Sequence, residues 1–181
     1  RIVVKTATRF LDNVIDINQY PVPEIKKQSE KTRRIGLGVM GFADLLFMMG
    51  IPYDSEEGRD LGRDIQKTIS EAAYEMSHDL GALKGNFLAW EGSRFDHISI
   101  AMRNSYRTTI APTGTISIIA DCSGGIEPMF SLKFMRQVMK GDDGKYVTME
   151  EVNKHYVEAK ESGMPEEELK RIFVTTQEIA P

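Results

Sequence analysis

The stretch Thr109-Ile-Ala-Pro-Thr-Gly-Thr-Ile-Ser-Ile-Ile-Ala-Asp-Cys-Ser-Gly-Gly-Ile-Glu-Pro-Met-Phe-Ser131 sets small hydroxylic residues and glycine between a strand-like run and a helix-like run. Tyr106 to Ala111 is rich in β-formers, Pro112 and Gly114 break it, and Ile116 to Ala120 resume apolar character, so the chain is expected to turn from strand into helix. The first N–H groups of a helix lack intrahelical partners and lie at the positive end of its dipole. Thr113, Thr115 and Ser117 place hydroxyls beside those amides, a chemistry suited to phosphate oxygens. Threonine and serine are also favoured caps, so on spacing alone a capped turn without a ligand is the simpler reading. The glycine pattern of a Walker loop and its phosphate-reaching lysine are missing.

Outward from this stretch the sequence reads as helix-rich. Between Asp54 and Leu80, apolar Leu61, Ile65, Ile69, Ala72, Met76 and Leu80 recur at helical spacing, while Arg59, Asp64, Lys67 and Glu71 mostly take other faces. Asp54 or Ser55 is placed to cap this helix and Gly81 to end it. Lys5 to Ile17 and Gly38 to Met49 also read as helices, stopped by Tyr20-Pro-Val-Pro and by Gly50 with Pro52. Further on, Thr148 and Glu151 form a capping-box pattern, followed by the apolar stripe Val152, Tyr156 and Ala159 before Gly163. Pro165, Glu166 to Glu168, and Lys170 with Arg171 suit the two ends of a last short helix. Gly141-Asp-Asp-Gly-Lys is a turn cluster and the expected boundary of a more variable segment. With short β-runs at Tyr106 to Ala111 and Phe173 to Thr176, the expected class is α/β.

Composition narrows the partners. The 181 residues, 41% hydrophobic and 28% charged, suit a globular chain with a buried core. A net charge of −4 with both signs interspersed argues against a nucleic-acid polymer as partner. The basic group Lys26, Lys27, Lys31, Arg33 and Arg34 is interrupted by Glu24 and Glu30 and reads as a solvated connector. One cysteine cannot form an internal disulfide, which suits a reducing cytoplasm. The apolar run Ile35 to Met49 contains Asp44 and is too short for a bilayer, which needs about 20 residues, so no membrane partner is expected. The chain starts at Arg1 and ends at Pro181, and is expected to be cut from a longer one.

Ala111-Pro-Thr-Gly-Thr-Ile-Ser, followed by Gly125-Ile-Glu-Pro, resembles the substrate-phosphate loop of the ribonucleotide reductase catalytic chain. Arg9-Phe-Leu-Asp-Asn-Val-Ile-Asp, Tyr20-Pro-Val-Pro-Glu and Arg33-Arg-Ile-Gly-Leu-Gly-Val-Met-Gly-Phe-Ala-Asp-Leu-Leu resemble the same family in the same order, so the likeness spans most of residues 7 to 138. The Pro-Thr-Gly-Thr form of the loop, with Phe130-Ser-Leu and Met135-Arg, most resembles the adenosylcobalamin-dependent branch. The resemblance implies a helix-rich fragment of a ten-stranded α/β barrel: residues 1–140 within the barrel, 141–172 a variable helical insert, and 173–181 the start of a further strand. It implies reduction of ribonucleotides to deoxyribonucleotides by radical chemistry, with the substrate phosphates held at Thr113, Gly114, Thr115, Ile116 and Ser117. It further implies adenosylcobalamin as cofactor, with contacts not assignable here, the remainder of the chain as partner, and a homodimer among its assemblies. The alternatives are a non-catalytic nucleotide-binding or assembly module of the same fold, and a purely structural α/β piece.

Other candidates weigh less. Gly36-Leu-Gly-Val-Met-Gly matches a dinucleotide fingerprint, yet Lys26 to Arg34 is charged where a buried strand is required, and Asp60 falls inside the amphipathic helix. These glycines are expected instead to allow close helix packing. Cys122 reads as a packed residue, since the family's Asn-x-Cys-x-Glu arrangement does not occur here. Glu127 is either an acid–base group or a loop-supporting residue that fixes the turn, and the second is favoured. His78, His97 and His155 lack metal-ligand spacing, Ser93, Asp96 and His97 are too close in sequence for a triad, and Trp90-Glu-Gly-Ser-Arg reads as a loop packed by its tryptophan.

Overall fold

The computed structural model describes residues 1–140 and 145–179, so the turn cluster read at 141–144 lies outside the described residues. In chain order the elements are α1 (Ile2–Ile17), α2 (Pro23–Thr32), α3 (Phe42–Met49), α4 (Glu56–Lys84), α5 (Arg94–His97), α6 (Gly114–Ala120), β1 (Lys133–Lys140), β2 (Lys145–Val152), α7 (Lys154–Glu161) and α8 (Glu166–Ile172). They divide into two compact units, one of residues 1–39 and 63–111, the other of residues 40–62 and 112–181.

The long α4, whose residues from Arg63 on belong to the first unit with α1, carries the amphipathic pattern read from the sequence, and its Ala72, Ala73 and Leu80 are buried. Ser55 is the cap of α4, its Oγ accepting the Gly58 N–H at 3.0 Å. Gly81 does not end the helix, which runs on to Lys84 and stops at Gly85, a residue at φ +90. A Cβ at Gly81 would lie 2.6 Å from the Met102 nitrogen, so its glycine identity answers to a backbone crossing rather than a stop. The segment Pro23–Thr32, read as a connector, is a helix with proline in its first turn and Arg33, at φ 44, as its C-cap. The extended run 106–109 pairs in parallel with 35–37: the Ile35 and Leu37 N–H groups donate to Tyr106 and Arg107 carbonyls at 3.0 and 2.9 Å, and the Thr109 N–H donates to Leu37 at 3.0 Å. Gly36 and Gly38 face Thr109, not a helix, because a Cβ on either would fall inside its atoms.

The polar centre of this unit is Asp12, fully buried on α1. Its Oδ1 accepts Arg33 Nε at 2.9 Å and Asn104 Nδ2 at 2.9 Å, and its Oδ2 faces Arg103 Nε at 3.4 Å and Lys84 Nζ at 3.6 Å. Ser77 of α4 locks Asn104, donating to its Oδ1 and accepting its backbone N–H, each at 2.9 Å. Arg33 also reaches Asp16 at 2.7 Å. Partial burial pushes the Asp16 carboxyl up, but the Arg33 hydrogen bond and the charges of Arg33, Arg103 and Lys84 outweigh it and hold the pKa below its ordinary value. A depressed folded-state pKa contributes stability that is complete above the unfolded value, about 3.9, and is lost as pH falls through the folded one. Asp16→Asn is therefore expected to flatten the fall in stability below about pH 4, which acid titration of the folded fraction would show. An unchanged acid transition would contradict it.

In the second unit, Phe47, Leu169, Ile172 and Phe173 form a buried cluster with Met129, Leu132, Tyr156, Ala159 and Met164 packed against it. The Phe47 and Phe173 rings lie 4.7 Å apart, and Tyr156 meets Phe173 edge-on at 5.3 Å. β1 and β2 form an antiparallel hairpin from Lys133 opposite Val152 to Lys140 opposite Lys145. Thr148 and Glu151 thus lie in a strand; α7 starts instead at Asn153, whose side chain accepts the Tyr156 N–H at 3.1 Å. The expected strand at Phe173 to Thr176 amounts to one parallel bridge between Thr175 and Met129. Among the described residues no helix is long and apolar enough to cross a membrane.

Candidate functional site

The loop that opens α6 lies wholly in the second unit. Thr113 is its N-cap at φ 47 and ψ 23, a left-handed conformation that is costly for a β-branched residue. What holds Thr113 there is its own hydroxyl: Oγ1 accepts the Gly125 N–H at 2.7 Å, tying the start of α6 to the turn that follows it. The hydroxyl proton remains available to an outside acceptor.

Beyond Thr113, the first helical hydrogen bond runs from the Ser117 N–H to the Thr113 carbonyl at 2.9 Å. The N–H groups of Gly114, Thr115 and Ile116 meet no acceptor among the described residues, and all three residues are exposed. A Cβ at Gly114 would meet nothing within 4 Å, so the approach to these amides is open. Ser117 differs from its neighbours: it is buried, and its hydroxyl donates to the Gly114 carbonyl at 3.5 Å. The five residues read from the sequence are thus adjacent in space, with three outward amides, one half-buried threonine hydroxyl, and a serine hydroxyl turned inward.

The far end of α6 is anchored by a residue that sequence reading treated only as a break in an apolar run. Asp44, in the first turn of α3 and buried, accepts the Ser123 N–H through Oδ2 at 2.6 Å and the Asn153 side-chain amide through Oδ1 at 3.1 Å. The Asp44 N–H returns a bond to the Ser123 hydroxyl at 3.3 Å, and the Gly41 N–H donates to the Ser123 carbonyl at 2.8 Å. A charged residue inside an otherwise apolar helix was the available signal. Asp44, Ser117, Cys122, Ser123, Asn153 and Lys154 line a cavity of about 250 Å³. Cys122 is half-buried and free. Lys154 closes one side, its Nζ 2.6 Å from the Asp121 carboxylate, a bond that lowers the pKa of Asp121 and raises that of Lys154.

Glu127 is exposed and its carboxylate accepts no hydrogen bond among the described residues. The neighbouring turn is held by the Tyr53 hydroxyl, which donates to the Ile126 carbonyl at 2.8 Å. Burial first, and the Glu127 charge second, push the Tyr53 phenol above its ordinary pKa, so it stays a donor at neutral pH. Of the first unit's candidates, the Ser93 side chain accepts from the N–H groups of Phe95 and Asp96 as the α5 cap, and Trp90 donates to the Ile100 carbonyl at 2.9 Å. Among the described residues no group of three His, Cys, Asp or Glu side chains is placed to hold a metal ion.

A family model described as ribonucleotide reductase, barrel domain, matches residues 1–102 and 97–181. The vitamin B12-dependent ribonucleoside-diphosphate reductase of Thermoplasma acidophilum is 46% identical over 201 aligned residues, covering 100% of this chain and 26% of that protein. The enzyme of the same name in Mycobacterium tuberculosis, strain H37Rv, is 48% identical over 137 residues, 76% of this chain and 19% of the relative. The ribonucleoside-diphosphate reductase large subunit of Caenorhabditis elegans is 34% identical over 165 residues, 77% of this chain and 21% of the relative. The chain therefore spans about a quarter or less of the length of these curated relatives.

Proposed function

Since the chain belongs to the ribonucleotide reductase barrel-domain family, we propose that it is the substrate-phosphate-holding part of an enzyme that reduces ribonucleotides to deoxyribonucleotides. The observation that carries this reading is the set of three outward amides at Gly114, Thr115 and Ile116 beneath a left-handed Thr113. A phosphate would accept from those amides, with the Thr113 and Thr115 hydroxyls as further donors and Ser117 keeping the first turn closed. Asp44 and Tyr53 hold the loop's far end still, so the donors are in place before the substrate arrives.

Two of the similar enzymes are named vitamin B12-dependent, and adenosylcobalamin is accordingly the proposed cofactor of the whole enzyme. It would supply the radical. The cavity beside α6 does not fit it: at about 250 Å³ it is smaller than the roughly 300–1,000 Å³ of ordinary small-molecule sites, and a corrin is larger than most such ligands. Its contacts belong to the remainder of the protein. The parallel bridges at Leu37–Thr108 and Met129–Thr175 are proposed as pieces of the ten-stranded α/β barrel, whose other strands the remaining chain would add. Within that frame 141–172 is the variable insert and 173–181 leads into a further strand. A homodimer is the proposed assembly.

Gly114→Val in the full-length reductase tests the loop. The new side chain meets no protein atom at its Cβ, so the fold tolerates it while the path to the amides narrows. Loss of one charge-assisted bond of about 1.5–3 kcal/mol should raise substrate KM on the order of ten- to a hundred-fold. Steady-state kinetics with unchanged KM and kcat would sink the assignment.

A further inference from the structure

Arg107, in the first unit, is a half-buried guanidinium without a counter-ion among the described residues. Its Cζ lies 5.3 Å from the Tyr74 ring centroid and 5.6 Å from that of Phe95, so two aromatic rings hold it. Among the described residues its donors make a single hydrogen bond, from Nη1 to the Asn104 carbonyl at 2.9 Å, out of the five N–H groups a guanidinium carries. No buried side-chain nitrogen or oxygen lacks a partner among the described residues, so the other N–H groups of Arg107 reach solvent.

Its charged neighbour has the same sign. Arg94 stacks on the same Phe95 ring at 4.7 Å, and Arg34 stacks on Tyr106, the residue before Arg107, at 5.3 Å. Among the described residues no carboxylate lies within ion-pair distance of Arg34, Arg94 or Arg107. Burial first, and the Arg94 charge second, draw the Arg107 guanidinium below its ordinary pKa, outweighing the opposite pull of Tyr74 and Tyr106. By contrast, Arg33 and Arg103 of this unit both face Asp12. Two like charges gathered on one ring raise each other's energy unless an anion joins them, and planar guanidinium forks suit the oxygens of a phosphate.

We propose that Arg107 and Arg94, with Arg34 at the margin, form a binding site for a phosphate-class oxyanion, separate from the loop at Thr113. Free phosphate and a phosphate ester share this chemistry. An ester carrying an aromatic base gains a second contact on Tyr106, which is 54% exposed.

The test is calorimetric titration of inorganic phosphate, at constant ionic strength, into the full-length protein carrying Gly114→Val, which takes the α6 loop out of the measurement. Phosphate is expected to bind, and Arg94→Gln and Arg107→Gln are each expected to weaken it at least ten-fold, with Arg107→Lys between them and the parent. Because Arg94 is exposed, its replacement keeps the test valid if Arg107→Gln fails to fold. Adenosine monophosphate binding ten-fold tighter than phosphate would identify an ester as the ligand, and equal affinity would identify the free anion. Absence of binding, or affinity unchanged within two-fold by both glutamine variants, would overturn the site. Failure of the loop assignment would show separately, as an unchanged KM in Gly114→Val.

Discussion

Asp12→Ala is expected to cost about 3–5 kcal/mol, the loss typical when one partner of a buried ion pair is removed and the other stays buried. Asp12 is 0% exposed and Arg33 is 5% exposed, so the guanidinium left behind cannot turn to water without opening the packing of α1 and α2. The loss is compounded because Asn104 and Arg103 bind the same carboxylate at 2.9 and 3.4 Å. Native-state hydrogen exchange in the full-length protein should show lost protection in α1 and at the backbone bonds from Ile35 and Leu37. Asp12→Asn keeps one acceptor oxygen, removes the charge and is expected to fall between the two. A change below about 1 kcal/mol in Asp12→Ala would mean that the cluster relaxes into solvent and holds nothing together.

The second large effect is expected at Gly38. An alanine Cβ there would lie 2.3 Å from the Thr109 carbonyl oxygen, and the clash is with backbone that is itself bonded, through its N–H, to Leu37 at 3.0 Å. Relief requires the 106–110 segment to move and its parallel pairing to break. Overpacking of this kind costs about 1–3 kcal/mol and more where backbone must shift. Gly36→Ala is the control: its nearest atom, at 2.6 Å, is the Thr109 Cγ2 methyl, which a rotamer change can move. Urea unfolding should therefore rank Gly38→Ala well below Gly36→Ala. Equal midpoints for the two would show that the close approach is not confining.

Local signals account for what was legible in the residues. α4 declared itself through apolar residues at helical spacing and a serine cap, and α6 through Pro112 and Gly114 followed by an isoleucine-rich run, because helix formation and capping depend on residues within four positions of one another. Ordered motifs from Arg9 to Ser131 carried the family, and with it the loop, because a shared ancestor preserves order in a sequence whatever the folded geometry. The same local rules misled where a pattern serves two structures. Thr148 and Glu151 satisfy a capping box, yet the hairpin partner at 133–140 draws them into a strand. Lys26 to Lys31 looked like solvated connector, although polar residues at exposed positions also build a surface helix.

By itself the sequence determined most of the helices and the family, and marked out the loop at Thr113 that is proposed to hold phosphate. Only the tertiary structure decided that Asp12 gathers Arg33, Lys84, Arg103 and Asn104, that Gly81 is a crossing point and not a stop, that Asp44 anchors the loop, and that Arg107 has no counter-ion among the described residues. These depend on residues up to 109 positions apart in the chain, as Asp44 and Asn153 are. Charge pairing and close approach act through space over a few ångströms, and separation along the chain does not encode that distance.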